Sequence, residues 1–230
     1  SPLMSSFAHA AASPVVTGAT ALADAAFEPL AGRRIGLLTN QTGRVGEHHI
    51  ADLMHRAGGI ELAAIFAPEH GFRGTAEAGA KVEHGRDATT GVRVYSLYGA
   101  TRKPTAAMLR GIDVLVFDIQ DVGVRFYTYI SSMGLAMQAA AAARIPFVVL
   151  DRPNPIGGLD VSGFMLEPAF KSFVGQYPMP IVHGMTVGEI ARMIEGERWL
   201  DGLDNLDLSV IEMAGWRRGM RWPQTRLPWI

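Results

Sequence analysis

No cysteine occurs in this chain of 230 residues, which removes disulfide staples, thiolate nucleophiles and cysteine-ligated zinc together. Charge is equally sparse, at 19% of residues with a formal net of -1, so no basic field exists to hold nucleic acid by counterion release. Long apolar runs are missing too. The best one, LAMQAAAAARIPFVVL, is broken by Gln138, Arg144 and Pro146, and none approaches the roughly 18 residues of a membrane span. The turn TNQTGRVG lacks the GxGxxG spacing of dinucleotide sites, and no GxxxxGK[ST] loop occurs. No GxSxG elbow marks a serine hydrolase, and Ser131-Ser132 read as caps at a helix start. No HExxH pair is present, although His48, His49, His70, His84 and His183 with Asp118, Asp121 and Asp151 keep a metal-dependent hydrolase as a rival reading. Adjacent His48 and His49 are expected to point to different sides, and no cofactor or metal is assigned.

What the chain does contain is four apolar runs that each stop in carboxylates or amides: IGLLTNQTG, LAAIFAPEHGFRG, VLVFDIQDVGVRFYTY and FVVLDRPNPIGG. Buried parallel strands read as continuous apolar runs, and open α/β sheets bind ligands beyond the carboxyl ends of their strands. Asn40, Gln41, Glu69, His70, Asp118, Asp121, Asp151 and Asn154 are therefore expected around one crevice.

The fold class is α/β, a Rossmann-like open and mostly parallel sheet with helices on both faces. Strands are expected at Ile35–Thr39, Leu62–Phe66, Val92–Leu97, Val114–Phe117, Phe147–Leu150 and Leu208–Ile211. Helices are expected near Ala19–Phe27, at Ile50–Ala57 before Gly58-Gly59, at Pro104–Arg110, and at Ser131–Ala143. A further helix opens on the capping box Thr186-Val187-Gly188-Glu189 and carries Ile190, Ile194 and Trp199. The glycine-rich stretch EHGFRGTAEAGAKVEHGRDATTG exceeds the about 12 to 15 residues beyond which a loop in a compact domain is usually functional or disordered. The expected division is a tail and short leading helix over 1–30, a Rossmann-like domain over 31–215, and the start of a linker or truncated second domain over 216–230. Ala8-His9-Ala10 has the small-x-small pattern of a signal-peptidase site, which is compatible with export.

Carboxylate chemistry is the most economical proposal. Glu69 follows Pro68 and stands beside His70, Gly71 and Arg73; desolvation raises a carboxyl pKa and a neighbouring arginine lowers it. The plain alternative is a Glu69–Arg73 loop salt bridge. Asp118 and Asp121 bracket Gln120, and Asp121 paired with Arg125 would simply brace a turn. Asp151-Arg152-Pro153-Asn154-Pro155 is stiffened by two prolines and suits the orientation of hydroxyls or an amide. Phe126, Tyr127 and Tyr129 offer aromatic faces to a sugar ring, with core packing as the alternative, above all for Phe126. Glu167 and His183 are ionisable groups inside apolar segments, and a structural role is favoured for His183.

Taken together, NQTG, PEHGFRG, YSLYG, FDIQDVGVRFYTY, DRPNP, LEPAFKSFVG and PMPIVHGMTVGEIA resemble the exo-β-N-acetylmuramidases of glycoside hydrolase family 171, formerly a domain of unknown function. The resemblance runs from about Gly32 to the last residues. It implies release of N-acetylmuramic acid from the non-reducing end of peptidoglycan fragments by an exported protein, periplasmic or extracellular. It also implies a smaller C-terminal domain beyond the RLPWI end, which is expected to be missing here. By resemblance Glu69 is the general acid, with Asp118, Asp151 and Glu167 as candidates for the partner carboxylate or for orienting the 2-acetamido group. Asn40, Gln41, His70, Arg73, Gln120, Asp121, Arg125, Tyr127, Asn154 and His183 would line the sugar pocket, an arginine holding the lactyl carboxylate. A non-catalytic module that binds the same sugars is the alternative from a different class.

Overall fold

The computed structural model describes residues 14–68, 72–73, 85–99 and 101–230. Among them the strands are β1 (Arg34–Thr39), β2 (Arg44–Val45), β3 (His48–His49), β4 (Glu61–Ala67), β5 (Gly85–Arg86), β6 (Arg93–Ser96), β7 (Val114–Asp118), β8 (Phe147–Leu150) and β9 (Leu208–Ile211). The helices are α1 (Gly18–Asp24), α2 (Ile50–Arg56), α3 (Tyr129–Ala143), α4 (Val187–Gly196) and α5 (Trp222–Thr225).

Seven of these strands form one sheet in the order β5-β6-β4-β1-β7-β8-β9, parallel throughout except for the short edge strand β5. Taken in chain order, the six parallel strands run 3-2-1-4-5-6 across the sheet, the order of doubly wound dinucleotide-binding folds. The order reverses between β1 and β7, where Thr39 lies in register with Asp118. That seam is the position at which such sheets open a ligand crevice beyond the strand ends.

Strand alternation sorts the core into two layers. Leu38, Phe66, Leu115, Phe117, Phe147 and Val149 face α3 and α4, which contribute Met133, Met137, Ile190 and Ile194. Ile35, Leu37, Ile65, Val114, Val116 and Leu150 face the opposite layer, with Leu22 of α1 and Ile50 and Met54 of α2. Helices on both faces are what a sheet of continuous apolar strands requires. Two glycines are fixed by this packing. A Cβ on Gly36 would stand 2.9 Å from the Phe66 ring, and one on Gly134 would stand 2.0 Å from the Tyr177 hydroxyl, which donates to Ile130 O at 2.9 Å.

Several expectations need correction. Pro104–Arg110 forms successive turns instead of a helix: Leu109 N–H reaches Thr105 O, but Arg110 and Ile112 bond only three residues back, and Gly111 takes φ +79°. Leu109 packs into the core, but the segment closes a single four-residue bond before Gly111 turns the chain, too little to offset the cost of nucleating a helix. Ser131 and Ser132 lie inside the first turn of α3 and cap nothing; Thr128 holds the cap position, and Ser131 Oγ donates to Phe173 O at 2.7 Å. The Thr186 capping box is present, but α4 ends at Gly196, and Trp199 stacks on Tyr177 beyond it. The β2–β3 hairpin was not expected, because two-residue strands leave no periodicity.

Both ends of the described chain pack on this core. Ala19, Leu22, Phe27 and Leu30 are buried within it. Residues 216–230 run back over the carboxyl side of the sheet, with Gly158 N–H bonded to Arg218 O, Trp222 N–H to Pro155 O and Val15 N–H to Thr225 O. Between them a surface segment exposes Leu159, Val161, Phe164, Met165, Phe170 and Val174. No helix among the described residues is long and apolar enough to cross a membrane.

Candidate active site at the sheet switch point

The seam between β1 and β7 is closed by charge. Asp118, fully buried, accepts from Arg152 Nε at 2.6 Å and Nη2 at 2.8 Å, a two-pronged pair joining the ends of β7 and β8. Arg152 Nη2 also donates to Arg44 O at 3.2 Å, while the Thr39 hydroxyl donates to Asp118 O at 2.8 Å. The turn-bracing aspartate–arginine pair is thus Asp118–Arg152, and the expected Asp121–Arg125 pair does not form. Arg125 instead donates to the carbonyls of Phe164 and Met179, at 2.9 and 2.5 Å.

Next to this pair runs an amide network whose orientations are dictated by its bonds. Asn40 Oδ1 accepts from Thr42 N–H and from the Thr42 hydroxyl, and that hydroxyl accepts from Gln120 N–H at 2.9 Å. Gln120 Nε2 donates to Asp121 O and Pro153 O, both at 2.7 Å. The far ends are left over: Asn40 Nδ2, Gln41 Oε1 and Gln120 Oε1 are buried without a partner among the described residues. Buried polar atoms are almost always satisfied in folded proteins, so orphans gathered at a strand-end crevice mark a place built for another molecule or for ordered water.

Asp121 and His183 continue the series. Asp121 Oδ2 accepts from Gly123 N–H at 2.8 Å and lies 3.3 Å from His183 Nε2, while Oδ1 is buried and unpartnered among the described residues. His183 Nδ1 accepts from Met185 N–H, and its buried Nε2, although close to Asp121, makes no hydrogen bond among the described residues. The histidines thought of as metal ligands are dispersed. His48 is exposed; His49 caps α2 through Nδ1 and donates from Nε2 to Asn40 O, and burial lowers its pKa and keeps it neutral. Among the described residues no group of three histidine or carboxylate side chains is placed to hold a metal ion. His70 and His84 lie outside the described residues.

Other candidates serve structural roles. Asp151 is buried at the amino end of α4, where Oδ1 accepts from Gly188 N–H and Arg152 N–H and Oδ2 from the Thr186 hydroxyl. Burial pushes its pKa up to about 6 against those hydrogen bonds. Gly188 is a close-packing glycine here, since a Cβ would stand 2.9 Å from Asp151 Cγ. Asn154 spends both ends of its amide on backbone, donating to Met185 O and accepting from Ile156 N–H. Arg73 is spent as well, donating to Asp87 and to Asp52 on α2; the hydrogen bonds to Asp87 and then Asp52 raise its pKa. Asp52 is lowered chiefly by its hydrogen bond to Arg73; burial opposes the drop at Asp87, but bonds from Arg73 and Thr90 outweigh it. Tyr127 is half-buried and meets Tyr129 edge-on at 4.9 Å, whereas Phe126 is exposed and not part of the core. Glu167 is exposed at the head of the 3₁₀ turn Pro168–Phe170. Glu69 lies outside the described residues.

Sequence reasoning passed over Arg152, Arg44 and Thr42. Arg152 belongs to the stiff DRPNP turn, but its bond to Asp118 spans 34 positions, and its bond to Arg44 spans 108. No local pattern encodes such a contact.

An open, mostly parallel α/β sheet of dinucleotide-fold order, with no phosphate-loop motif in the sequence, defines a Rossmann-like domain. The chain belongs to the family described as exo-β-N-acetylmuramidase NamZ, N-terminal, whose model matches residues 35–230. It is 49% identical over 217 residues to the peptidoglycan β-N-acetylmuramidase NamZ of Bacillus subtilis strain 168, covering 94% of this chain and 51% of that protein. Crystal structures of two DUF1343 family proteins from Bacteroides fragilis are similar. One has a TM-score of 0.88 at 47% identity, over 94% of this chain and 54% of the other. The second has a TM-score of 0.79 at 42% identity, over 90% and 54% respectively. The chain therefore spans about half the length of the relatives it matches.

Proposed function

We propose that this chain forms the sugar-binding and catalytic half of an exo-β-N-acetylmuramidase, a glycosidase that releases N-acetylmuramic acid from the non-reducing end of peptidoglycan fragments. The observation that carries the reading is the 49% identity to a protein of that name across 94% of the chain. The collection of unpartnered polar atoms at the switch point supports it. Since peptidoglycan lies outside the cytoplasmic membrane, the proposed compartment is periplasmic or extracellular and the role is in cell wall turnover.

In this mechanism Glu69 protonates the leaving glycosidic oxygen while an oxocarbenium-like transition state develops at the sugar. Of the partner carboxylates considered, Asp118 is consumed by Arg152, Asp151 by the α4 terminus, and Glu167 faces solvent. Asp121 keeps one buried oxygen unused, which suits it to accept the N–H of the 2-acetamido group and steady that group beside the anomeric carbon. Asn40 offers a fixed donor for a sugar hydroxyl or amide oxygen.

The test is hydrolysis of a chromogenic N-acetylmuramic acid glycoside beside the matching N-acetylglucosamine glycoside, with wild type and Glu69→Gln. Cleavage of the first alone, reduced at least 100-fold in Glu69→Gln with sugar affinity retained, is the expected result. Cleavage of neither by folded, full-length protein removes the enzyme reading. Affinity without turnover would instead identify a binding module.

A further inference from the structure

Of the arginines expected around the sugar, Arg73 commits all three guanidinium nitrogens to Asp52 and Asp87, and Arg125 commits Nη1 to two carbonyls away from the seam. A different pair is only partly committed and stands at the seam itself. Arg44 and Arg152 line a narrow cavity of about 50 Å³ on the carboxyl side of the sheet, with Gln120, Thr20, Trp222 and Trp229 among its other walls. Arg152 is nine-tenths buried and uses Nε and Nη2 on Asp118 and Arg44 O, which leaves Nη1 without a hydrogen bond among the described residues. Arg44 spends Nη1 on Glu47 O, and its Nε is buried and unpartnered among the described residues. Gln120, also nine-tenths buried, is pinned by two carbonyls so that only its acceptor Oε1 remains.

No lining side chain is a carboxylate, and Asp118 behind Arg152 cancels one of the two arginine charges. The side chains around the cavity thus leave one net positive charge. It offers free donors and one free acceptor, a combination that fits a carboxylate carried next to an N–H or O–H group. At roughly four water volumes it admits a carboxylate on a short stem and leaves a sugar ring outside. At the wall Trp222 and the exposed Trp229 meet edge-on with centroids 4.9 Å apart, indoles of the kind that stack on the apolar face of a sugar.

We propose that the Arg44–Arg152–Gln120 cavity is the subsite for the carboxylate arm of a sugar acid, here the lactyl group of a muramic acid residue. The identity of the acid rests on the muramidase reading above. Removing Arg152 would strand Asp118 as a buried charge, so the test uses Arg44, which is half-exposed and bonded only to a backbone carbonyl. Binding of free N-acetylmuramic acid and free N-acetylglucosamine is measured by calorimetry for wild type, Arg44→Ala and Arg44→Glu, with melting curves as the check on folding. Wild type is expected to bind the muramic sugar at least tenfold tighter. Arg44→Ala should erase that preference while leaving the glucosamine affinity in place, and Arg44→Glu should reverse it.

Equal affinity of wild type for the two sugars overturns the proposal, as does a preference that persists in folded Arg44→Ala. The two readings separate cleanly. Arg44-dependent preference with no glycoside cleavage keeps the cavity and removes the enzyme, whereas cleavage with an Arg44-independent preference does the reverse.

Discussion

At the scale of single residues, the chemistry of this domain is governed by which carboxylates are already spent. Asp151 shows the consequence in measurable form. Its pKa is pushed up to about 6 by burial, above the usual carboxylate value of the unfolded chain. Between about pH 4 and pH 6 the unfolded state therefore releases its proton while the folded state still holds one. Stability contributed by this group is complete below pH 4 and is lost as pH rises through 6, by roughly 3 kcal/mol for a shift of about two units. Asparagine at this position keeps an acceptor for Gly188 and Arg152 N–H and turns a donor toward the Thr186 oxygen. Urea midpoints across pH 4 to 7 are expected to lose their downward slope in Asp151→Asn, and that variant should match or exceed wild type at pH 7. Asp52 and Asp87, held down by Arg73, act in the opposite sense below that window.

At the scale of elements, each helix is tied to the sheet by a small number of specific contacts. The amino end of α4 has a capping box between Thr186 and Glu189, with Asp151 hydrogen-bonded to both the cap hydroxyl and the first-turn Gly188 N–H. Thr186→Ala is expected to cost about 1 to 2 kcal/mol, measured by denaturant titration, because it removes a cap and a partner of a buried carboxylate. Gly134→Ala in α3 is the sharper case. Helix propensity favours alanine by about 1 kcal/mol, yet the new methyl would stand 2.0 Å from the Tyr177 hydroxyl. The variant should melt lower than wild type, the reverse of what propensity predicts.

At the scale of the molecule, the notable feature is the segment from Leu159 to Val174, with six large apolar side chains more than half exposed. Side chains this exposed lose little water on folding, so they are expected to contribute to surface properties more than to the stability of the core. Phe164→Ser combined with Phe170→Ser is expected to lower binding of a hydrophobic dye by the folded chain several-fold without moving its melting temperature. A fall in melting temperature would show instead that these rings support the core.

The sequence alone determined the architecture: strands buried on both faces must be apolar throughout, and helices between them must show one apolar stripe, so both leave a local periodic signature. It also determined that amides and carboxylates stand at strand ends, because the runs stop there. Only the tertiary structure decided which are free. Asp118 and Asp151 look alike in the chain, each ending an apolar run, and both prove to be committed, one to an arginine 34 residues away and the other to a helix terminus 37 residues away. Gln120 looked like a spacer between two aspartates and proves to keep an acceptor in reserve. Hydrophobic patterning is read from neighbours in sequence, whereas satisfaction of a buried polar atom depends on partners brought together by the closed sheet.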